Sequence, residues 1–289
     1  MRWLEVTITT SAASAEAVGD ILLVLRSGGV AEEPLRGGLV RVRGYLPAGP
    51  AAAAALEAIA ARVRGLAAAG LDPGPGTIDV RSIEDEDWAR AWKAHFRPFA
   101  VGRLWIAPTW DRTPPPAGAA VVAIDPGMAF GTGLHPSTRL CLIALDARLR
   151  GGETVVDVGT GSGILAIAAA KLGAARVLAR DTDPLAVRIA RANVAHNGVA
   201  DHVAVDEGAF LEGVPDRADA VVANLTADAH LRFVAAARSA LAPQGWLAAS
   251  GIVAARLREV ETAAADAGLA ATETLADGEW RCLILRAAP

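Results

Sequence analysis

Cysteine is scarce in this chain, and so is any excess of positive charge. The 289 residues include two cysteines, Cys141 and Cys282, and neither lies in a C-x-x-C or metal-ligand spacing. This spacing predicts neither a disulfide framework nor a bound metal. The net charge is −4 and the isoelectric point about 5.8. Because nucleic-acid phosphates bind basic surfaces, we expect no direct nucleic-acid partner, whereas a basic protein would suit this charge.

Long apolar runs are also missing, although 53% of the residues are hydrophobic and the mean hydropathy is +0.33. A membrane-spanning helix needs about 18 or more consecutive apolar residues. The best candidate run, residues 48–61, contains Glu57 and has a Gly-Pro pair near its start. The first residues also lack the basic-then-apolar pattern of a secretory signal. We therefore expect a cytoplasmic protein that meets no membrane, and we expect a monomer.

Length and pattern predict two domains joined by a linker. Over residues 1–83, strand-like alternation and helical stretches with end signals follow one another in the order β-α-β-β-α-β. This order is typical of a ferredoxin-like α+β domain. Trp88, Trp92 and Phe96 then recur every four residues, which predicts a linker helix over residues 84–101.

Residues 102–289 form a second pattern, in which apolar strands alternate with helices. Such alternation predicts a Rossmann-like, doubly wound α/β domain whose mostly parallel sheet is covered by helices on both faces. The chain ends in two strands separated by Asp277-Gly278, which indicates an antiparallel hairpin at the edge of that sheet.

A glycine-rich turn is the sharpest local signal. A buried strand ending at Val158 runs into Gly159-Thr160-Gly161-Ser162-Gly163, and a helix follows. Glycines let the backbone approach a ligand closely, and the N-terminus of a helix offers free N–H groups. Asp181 ends the next strand, where a carboxylate accepts hydrogen bonds from the hydroxyls of a ribose.

Two cofactors suit this turn. Residues 161–166 satisfy the pattern G-x-G-x-x-G/A, so NAD and an oxidoreductase activity are one interpretation. Asp157 favours the second cofactor, S-adenosyl-L-methionine, because its negative charge opposes a pyrophosphate but suits the sulfonium and amino groups of that molecule. We therefore prefer S-adenosylmethionine, bound by Asp157, Gly159, Gly161 and Asp181.

Two further stretches carry polar residues beside predicted strands. Residues 125–138 (DPGMAFGTGLHPST) are too many for an ordinary turn, which indicates a binding loop. Within this loop, His135 is a pocket-wall residue or a proton acceptor, and Thr138 binds a ligand or caps the following helix. Asn224 ends a buried strand at the carboxyl edge of the predicted sheet, where open α/β folds bind ligands.

These motifs resemble those of a known family. The glycine turn, Asp181 and Asn224 resemble class I S-adenosylmethionine-dependent methyltransferases, and the loop at 125–138 is similar to the signature of the ribosomal protein L11 methyltransferase (PrmA) family. The linker stretches DWARAWK and FRPF also resemble that family. The resemblance implies a substrate-recognising N-terminal domain and a catalytic C-terminal domain. It places Thr138, Gly159, Asp181 and Asn224 at the cofactor.

The reaction that the resemblance implies is transfer of methyl groups to amines of ribosomal protein L11, on lysine side chains and the N-terminal amine. Asn224 would orient the amine, and His135 would lie near the pocket. Fold and cofactor do not specify the substrate. The alternatives are a methyltransferase for lysines of another protein or for a small amine, an NAD-dependent oxidoreductase, and an inactive cofactor-binding module.

Overall fold

The chain divides into two compact units. The computed structural model describes residues 2–24, 30–50, 52–67, 71–84, 97–124, 133–211 and 217–288. Within it the units are Met1–Phe96 and Arg97–Pro289. Residues 85–96, which include the three aromatic residues of the predicted linker helix, lie outside the described residues.

The first unit has the predicted β-α-β-β-α-β order. Its elements are β1 (Arg2–Ser11), α1 (Ala15–Val24), β2 (Val30–Pro34), β3 (Leu39–Pro47), α2 (Ala52–Gly65) and β4 (Thr77–Glu84), with a 3-10 turn at Ala12–Ser14. The strands form an antiparallel sheet in the order β2-β3-β1-β4. Val6 and Ile8 of β1 share one buried core with Leu22 of α1 and Ile59 of α2, because alternate residues of a strand face one side. The ferredoxin-like arrangement is confirmed.

The second unit begins with a small three-stranded sheet, ahead of the strands that alternate with helices. Its strands are β5 (Phe99–Val101), β6 (Leu104–Ala107) and β7 (Ala120–Ala123), which pair in that order. The prediction of a helix as far as residue 101 is therefore wrong at its end. Gly102 has a φ of +54°, which reverses the chain and pairs Phe99 with Ile106 in antiparallel fashion.

A seven-stranded sheet forms the centre of the second unit, in the order β10-β9-β8-β11-β12-β14-β13. Its strands are β8 (Thr154–Val158), β9 (Arg176–Asp181), β10 (Val203–Glu207), β11 (Ala218–Asn224), β12 (Leu241–Val253), β13 (Leu269–Asp277) and β14 (Trp280–Ala287). Strands β8 to β12 pair in parallel, whereas β14 is antiparallel to both β12 and β13. The predicted mostly parallel sheet and its antiparallel hairpin are confirmed.

Helices cover both faces of this sheet. They are α3 (Pro136–Arg148), α4 (Ile164–Lys171), α5 (Pro184–His196), α6 (Ala227–Ala240) and α7 (Leu257–Asp266), with a 3-10 turn at Ala254–Arg256. Val155 of β8 lies in a core with α3, α4 and α5, and Val156 lies in a second core with α6 and α7. Two-sided burial explains why the strands read as continuous apolar runs. Every helix among the described residues falls short of the length and apolar character needed to cross a membrane.

Candidate functional site

The glycine turn follows β8 as predicted, and its backbone requires glycine. Gly159, Gly161 and Gly163 have φ values of +71°, +55° and +85°. The N–H groups of Gly159 and Thr160 both donate to the carbonyl of Arg180 at 2.9 Å, which ties the turn to β9. A Cβ at position 159 would lie 2.7 Å from Cδ2 of Leu225, so the turn passes directly against the residue after β11.

Asp157 lies beneath this turn and is fully buried. Its Oδ2 accepts hydrogen bonds from Oγ1 of Thr160 at 2.6 Å and from the N–H of Ala166 at 3.1 Å. Its Oδ1 has no hydrogen-bond partner among the described residues. Burial, assisted by the negative charge of Asp181, raises the pKa of Asp157 to about 7, although the two hydrogen bonds oppose the shift. The carboxyl is therefore poised to ionise when a cation comes near.

Asp181 is placed beside the turn, as its spacing from the glycines predicts. Its Oδ2 accepts the N–H of Gly161 at 2.9 Å, and its Oδ1 accepts the N–H of Asp183 at 3.0 Å. Each oxygen keeps a second lone pair for a further donor. A half-buried carboxylate held in this way is suited to accept hydroxyl groups from a ligand that lies over the turn.

Asn224 and Thr138 are brought together although 86 residues separate them in the chain. Nδ2 of Asn224 donates to Oγ1 of Thr138 at 3.1 Å. Thr138 lies inside the first turn of α3, and His135 caps that helix. The alternative interpretation of Thr138 as the helix cap is therefore wrong, because His135 accepts the N–H of Ser137 that a cap must satisfy.

His135 is a half-buried ring held on two sides. Its Nδ1 lies 2.7 Å from Oγ of Ser137, and the ring meets the ring of Trp280 edge to face, with centroids 4.6 Å apart. Burial lowers the pKa of His135 below its ordinary value, which favours the neutral imidazole at pH 7. Sequence reasoning missed Trp280, whose only signal was a large aromatic residue beginning the last strand.

The start of the predicted binding loop, residues 125–132, lies outside the described residues. Its end is described at Gly133, which has a φ of +83°. A Cβ there would lie 2.9 Å from Cδ1 of Ile164 and 3.0 Å from Cζ of Phe99. The end of the loop therefore packs against the first residue of α4, the helix that the glycine turn opens.

The two cysteines take no part in these contacts. Cys141 in α3 and Cys282 in β14 are both buried free thiols. Burial, assisted by the neighbouring Cys282, raises the pKa of the Cys141 thiol, so it stays protonated at neutral pH. Across the described part of the chain, no group of three or more His, Cys, Asp or Glu side chains could hold a metal ion.

Known proteins are similar to this chain along nearly its whole length. The profile described as "Ribosomal protein L11 methyltransferase (PrmA)" matches residues 2–288. A ribosomal protein L11 methyltransferase of Pelotomaculum thermopropionicum is 43% identical, and the match covers 99% of this chain and 99% of that one. One of Anoxybacillus flavithermus is 37% identical, and the match again covers 99% of each chain.

A solved structure is similar as well. The crystal structure of a ribosomal protein L11 methylase from Lactobacillus delbrueckii subsp. bulgaricus has a TM-score of 0.64 and 33% sequence identity to this chain. The match covers 67% of this chain and 100% of that one. The sequence comparison and the structure comparison therefore both find proteins described as ribosomal protein L11 methyltransferases or methylases.

Proposed function

We propose a methyl transfer reaction for this chain, which belongs to the ribosomal protein L11 methyltransferase (PrmA) family. The donor is S-adenosylmethionine, and the acceptors are amines of ribosomal protein L11, on lysine side chains and the N-terminal amine. The observation that carries the proposal is the hydrogen bond between Asn224 and Thr138 at the carboxyl edge of the sheet, the edge where Asp181 holds the glycine turn.

The residues present suit this donor better than a dinucleotide. The unpartnered Oδ1 of Asp157 lies buried under the turn, and the N–H of Ala166 at the start of α4 already donates to the same carboxyl group. A carboxyl in that place favours a cation and opposes a phosphate. Asp181 is suited to the ribose hydroxyls. When bound, S-adenosylmethionine supplies an electrophilic methyl group on a positively charged sulfur.

The chain's own groups orient the amine. Because Nδ2 of Asn224 donates to Thr138, the amide is held in one orientation, and Oδ1 is left as the acceptor for an N–H. Positioning of two reactants can supply several kcal/mol of the barrier. A lysine amine has a pKa of about 10.4, so deprotonation at pH 7 costs about 4–5 kcal/mol. A pocket of low polarity would reduce that cost, because it disfavours the charged amine.

His135 acts as a wall of the pocket in this proposal. We expect His135→Ala to lower kcat less than about tenfold. Nδ1 accepts the N–H of Ser137, so the neutral ring carries its proton on Nε2 and has no free lone pair to act as a base. His135→Asn is the matched control, because asparagine also caps a helix and so separates loss of the cap from loss of the ring. A decrease in kcat of several orders of magnitude in both variants would show that His135 accepts the proton.

Mass spectrometry of ribosomal proteins after incubation with the enzyme and S-adenosylmethionine tests the proposal. We expect mass steps of one methyl group on L11, at lysines and at the N-terminus. The Asp181→Ala variant provides the control. It loses the charge-assisted hydrogen bonds to the ribose, so we expect its affinity for the cofactor, measured by calorimetry, to fall at least about tenfold. Methylation of another protein or of a small amine instead of L11 identifies a different substrate. Binding of NADH, or cofactor binding with no methylated product, contradicts the proposal.

The roles of the domains, the class of partner, the location and the monomeric state are also proposals. Residues 1–83 recognise the substrate, the segment between β4 and β5 links the domains, and the rest of the chain to residue 289 carries the reaction. A net charge of −4 suits a basic protein substrate and gives no support to nucleic acid as a partner. A ribosomal protein as substrate is consistent with a reaction in the cytoplasm, and we propose that the enzyme works there as a monomer.

A further inference from the structure

His230 is a fully buried histidine that the proposed reaction does not use directly. It lies near the start of α6, and its Nε2 is 2.7 Å from the backbone oxygen of Ser250. Its Nδ1 has no hydrogen-bond partner among the described residues. Burial lowers the pKa of His230 to about 4, so the ring is neutral and carries its proton on Nε2, where it donates to Ser250. An apolar side chain would fill this space without leaving a polar atom unpaired.

Ser250 is the point where three elements are joined. In the sheet it pairs with Asn224, and its carbonyl accepts the N–H of Leu225 at 3.0 Å as well as the His230 ring. Its Oγ donates to the carbonyl of Ser137 at 2.8 Å. Ser250 therefore connects the end of β11, the start of α6 and the start of α3.

Two residues that bond to Ser250, Leu225 and Ser137, are each adjacent in sequence to a residue of the proposed site. Leu225 follows Asn224, and Ser137 precedes Thr138. The two backbone segments that Ser250 holds are thus the ones that bear the two partners of the bond between Asn224 and Thr138. A shift of Ser250 would move these side chains relative to each other.

We propose that His230 and Ser250 are positioning residues that set the relative placement of Asn224 and Thr138. The inference rests on the proposed function, in which those two side chains hold the cofactor and the amine. A buried carbonyl that keeps both of its donors is held more rigidly than one that keeps a single donor. The site is thus supported through the backbone of β12 by His230, which is not itself part of the proposed site.

Two substitutions of His230 test this inference. His230→Leu keeps a similar volume but removes the donor, and we expect kcat to fall about 10- to 100-fold and affinity for S-adenosylmethionine to fall about tenfold. His230→Gln restores an N–H donor at a similar reach, and we expect both values within about threefold of wild type. Val234→Ala is the control, because Val234 is a buried residue of the same helix whose side chain has no polar atom to bond Ser250. We expect Val234→Ala to lower the melting temperature, because it creates a cavity, and to leave kcat and cofactor affinity within about twofold of wild type.

The outcomes separate this inference from the proposed function. If the wild type binds S-adenosylmethionine but methylates no L11, the proposed function fails, and the affinities of the three variants still decide the role of His230. Equal effects of His230→Leu and Val234→Ala, or no rescue by glutamine, overturn the inference. Where His230→Leu does not fold, Ser250→Ala replaces it, with an expected loss of affinity of about 3- to 10-fold because the bond to Ser137 is removed.

Discussion

Gly251→Ala is expected to lower kcat about 100-fold or more, because the new methyl group has no room behind Asn224. A Cβ at position 251 would lie 2.4 Å from the backbone oxygen of Leu225 and 2.8 Å from Oδ1 of Asn224. The first of these atoms belongs to the backbone at the end of β11 and cannot rotate away. The collision therefore displaces the segment that carries Asn224, and the hydrogen bond to Thr138 with it.

The matched control is Gly118→Ala. Gly251 has a φ of +83° and Gly118 a φ of +77°, so both substitutions impose the same backbone strain, about 1–2 kcal/mol. No atom lies within 4 Å of a Cβ at position 118. Steady-state kinetics and thermal melting of both variants separate strain from collision. Similar kinetic losses in the two variants would show that the space behind Asn224 is unimportant.

Asp157→Asn is expected to stabilise the protein without cofactor at pH 8 and to weaken cofactor binding. The pKa of Asp157 is raised from 3.8 to about 7 in the folded state, so the folded protein binds this proton more tightly than the unfolded chain does. The free energy of unfolding therefore falls as the pH rises from about 4 to 7. Above that window, ionisation of Asp157 costs about 4 kcal/mol, and the neutral asparagine avoids it.

The expected gain is smaller than that cost, because the asparagine N–H₂ would replace the unpartnered Oδ1 and lose about 1–3 kcal/mol through its own unmade hydrogen bonds. We expect Asp157→Asn to melt above wild type at pH 8 and at or below it at pH 5. Asp201→Asn removes the same charge from an exposed turn and shifts the melting temperature little at either pH. A pH-independent difference between Asp157→Asn and wild type contradicts the raised pKa.

Cofactor affinity should change in the opposite direction to stability. Asp157→Asn lacks the negative charge that attracts a sulfonium or ammonium group, and we expect affinity for S-adenosylmethionine to fall at least about tenfold at pH 8. In the wild type below pH 7, binding should also release a proton, seen as a binding enthalpy that depends on the buffer. Unchanged affinity in the variant would remove Asp157 from the cofactor site.

Much of the fold follows from local pattern. Strand β8 (Thr154–Val158) and helix α5 (Pro184–His196) belong to the alternation of apolar strands and helices that the sequence predicts for this domain. The strand is buried on both faces and so reads as an apolar run, and the helix begins with Asp183 as cap and Pro184 as first residue. Strand β12 is longer than its apolar run at residues 246–250. It spans Leu241–Val253, because pairing of Leu241 with Ala218 extends it through Pro243 and Gly245.

The candidate site was predictable only in part. A glycine turn, an acidic residue at the next strand end and Asn224 at a later one are local signals, and the chain order of parallel strands places them at one edge. Other features of the site join residues that are distant in the sequence: the bond from Asn224 to Thr138, the edge-to-face contact of Trp280 with His135, and the links through Ser250 and His230. Periodicity carries no information about such partners.

Asp157 shows most clearly which properties of the site come from local sequence and which come from tertiary packing. Its position at the end of a strand before three glycines can be read from the sequence, which suggests a negative charge near the ligand. Its complete burial, the occupied Oδ2, the unpartnered Oδ1 and the pKa of about 7 depend on how β8 packs between β9 and β11 beneath α4. Local sequence specifies which group is present, whereas desolvation and distant partners set its charge, because both arise only when the chain is packed.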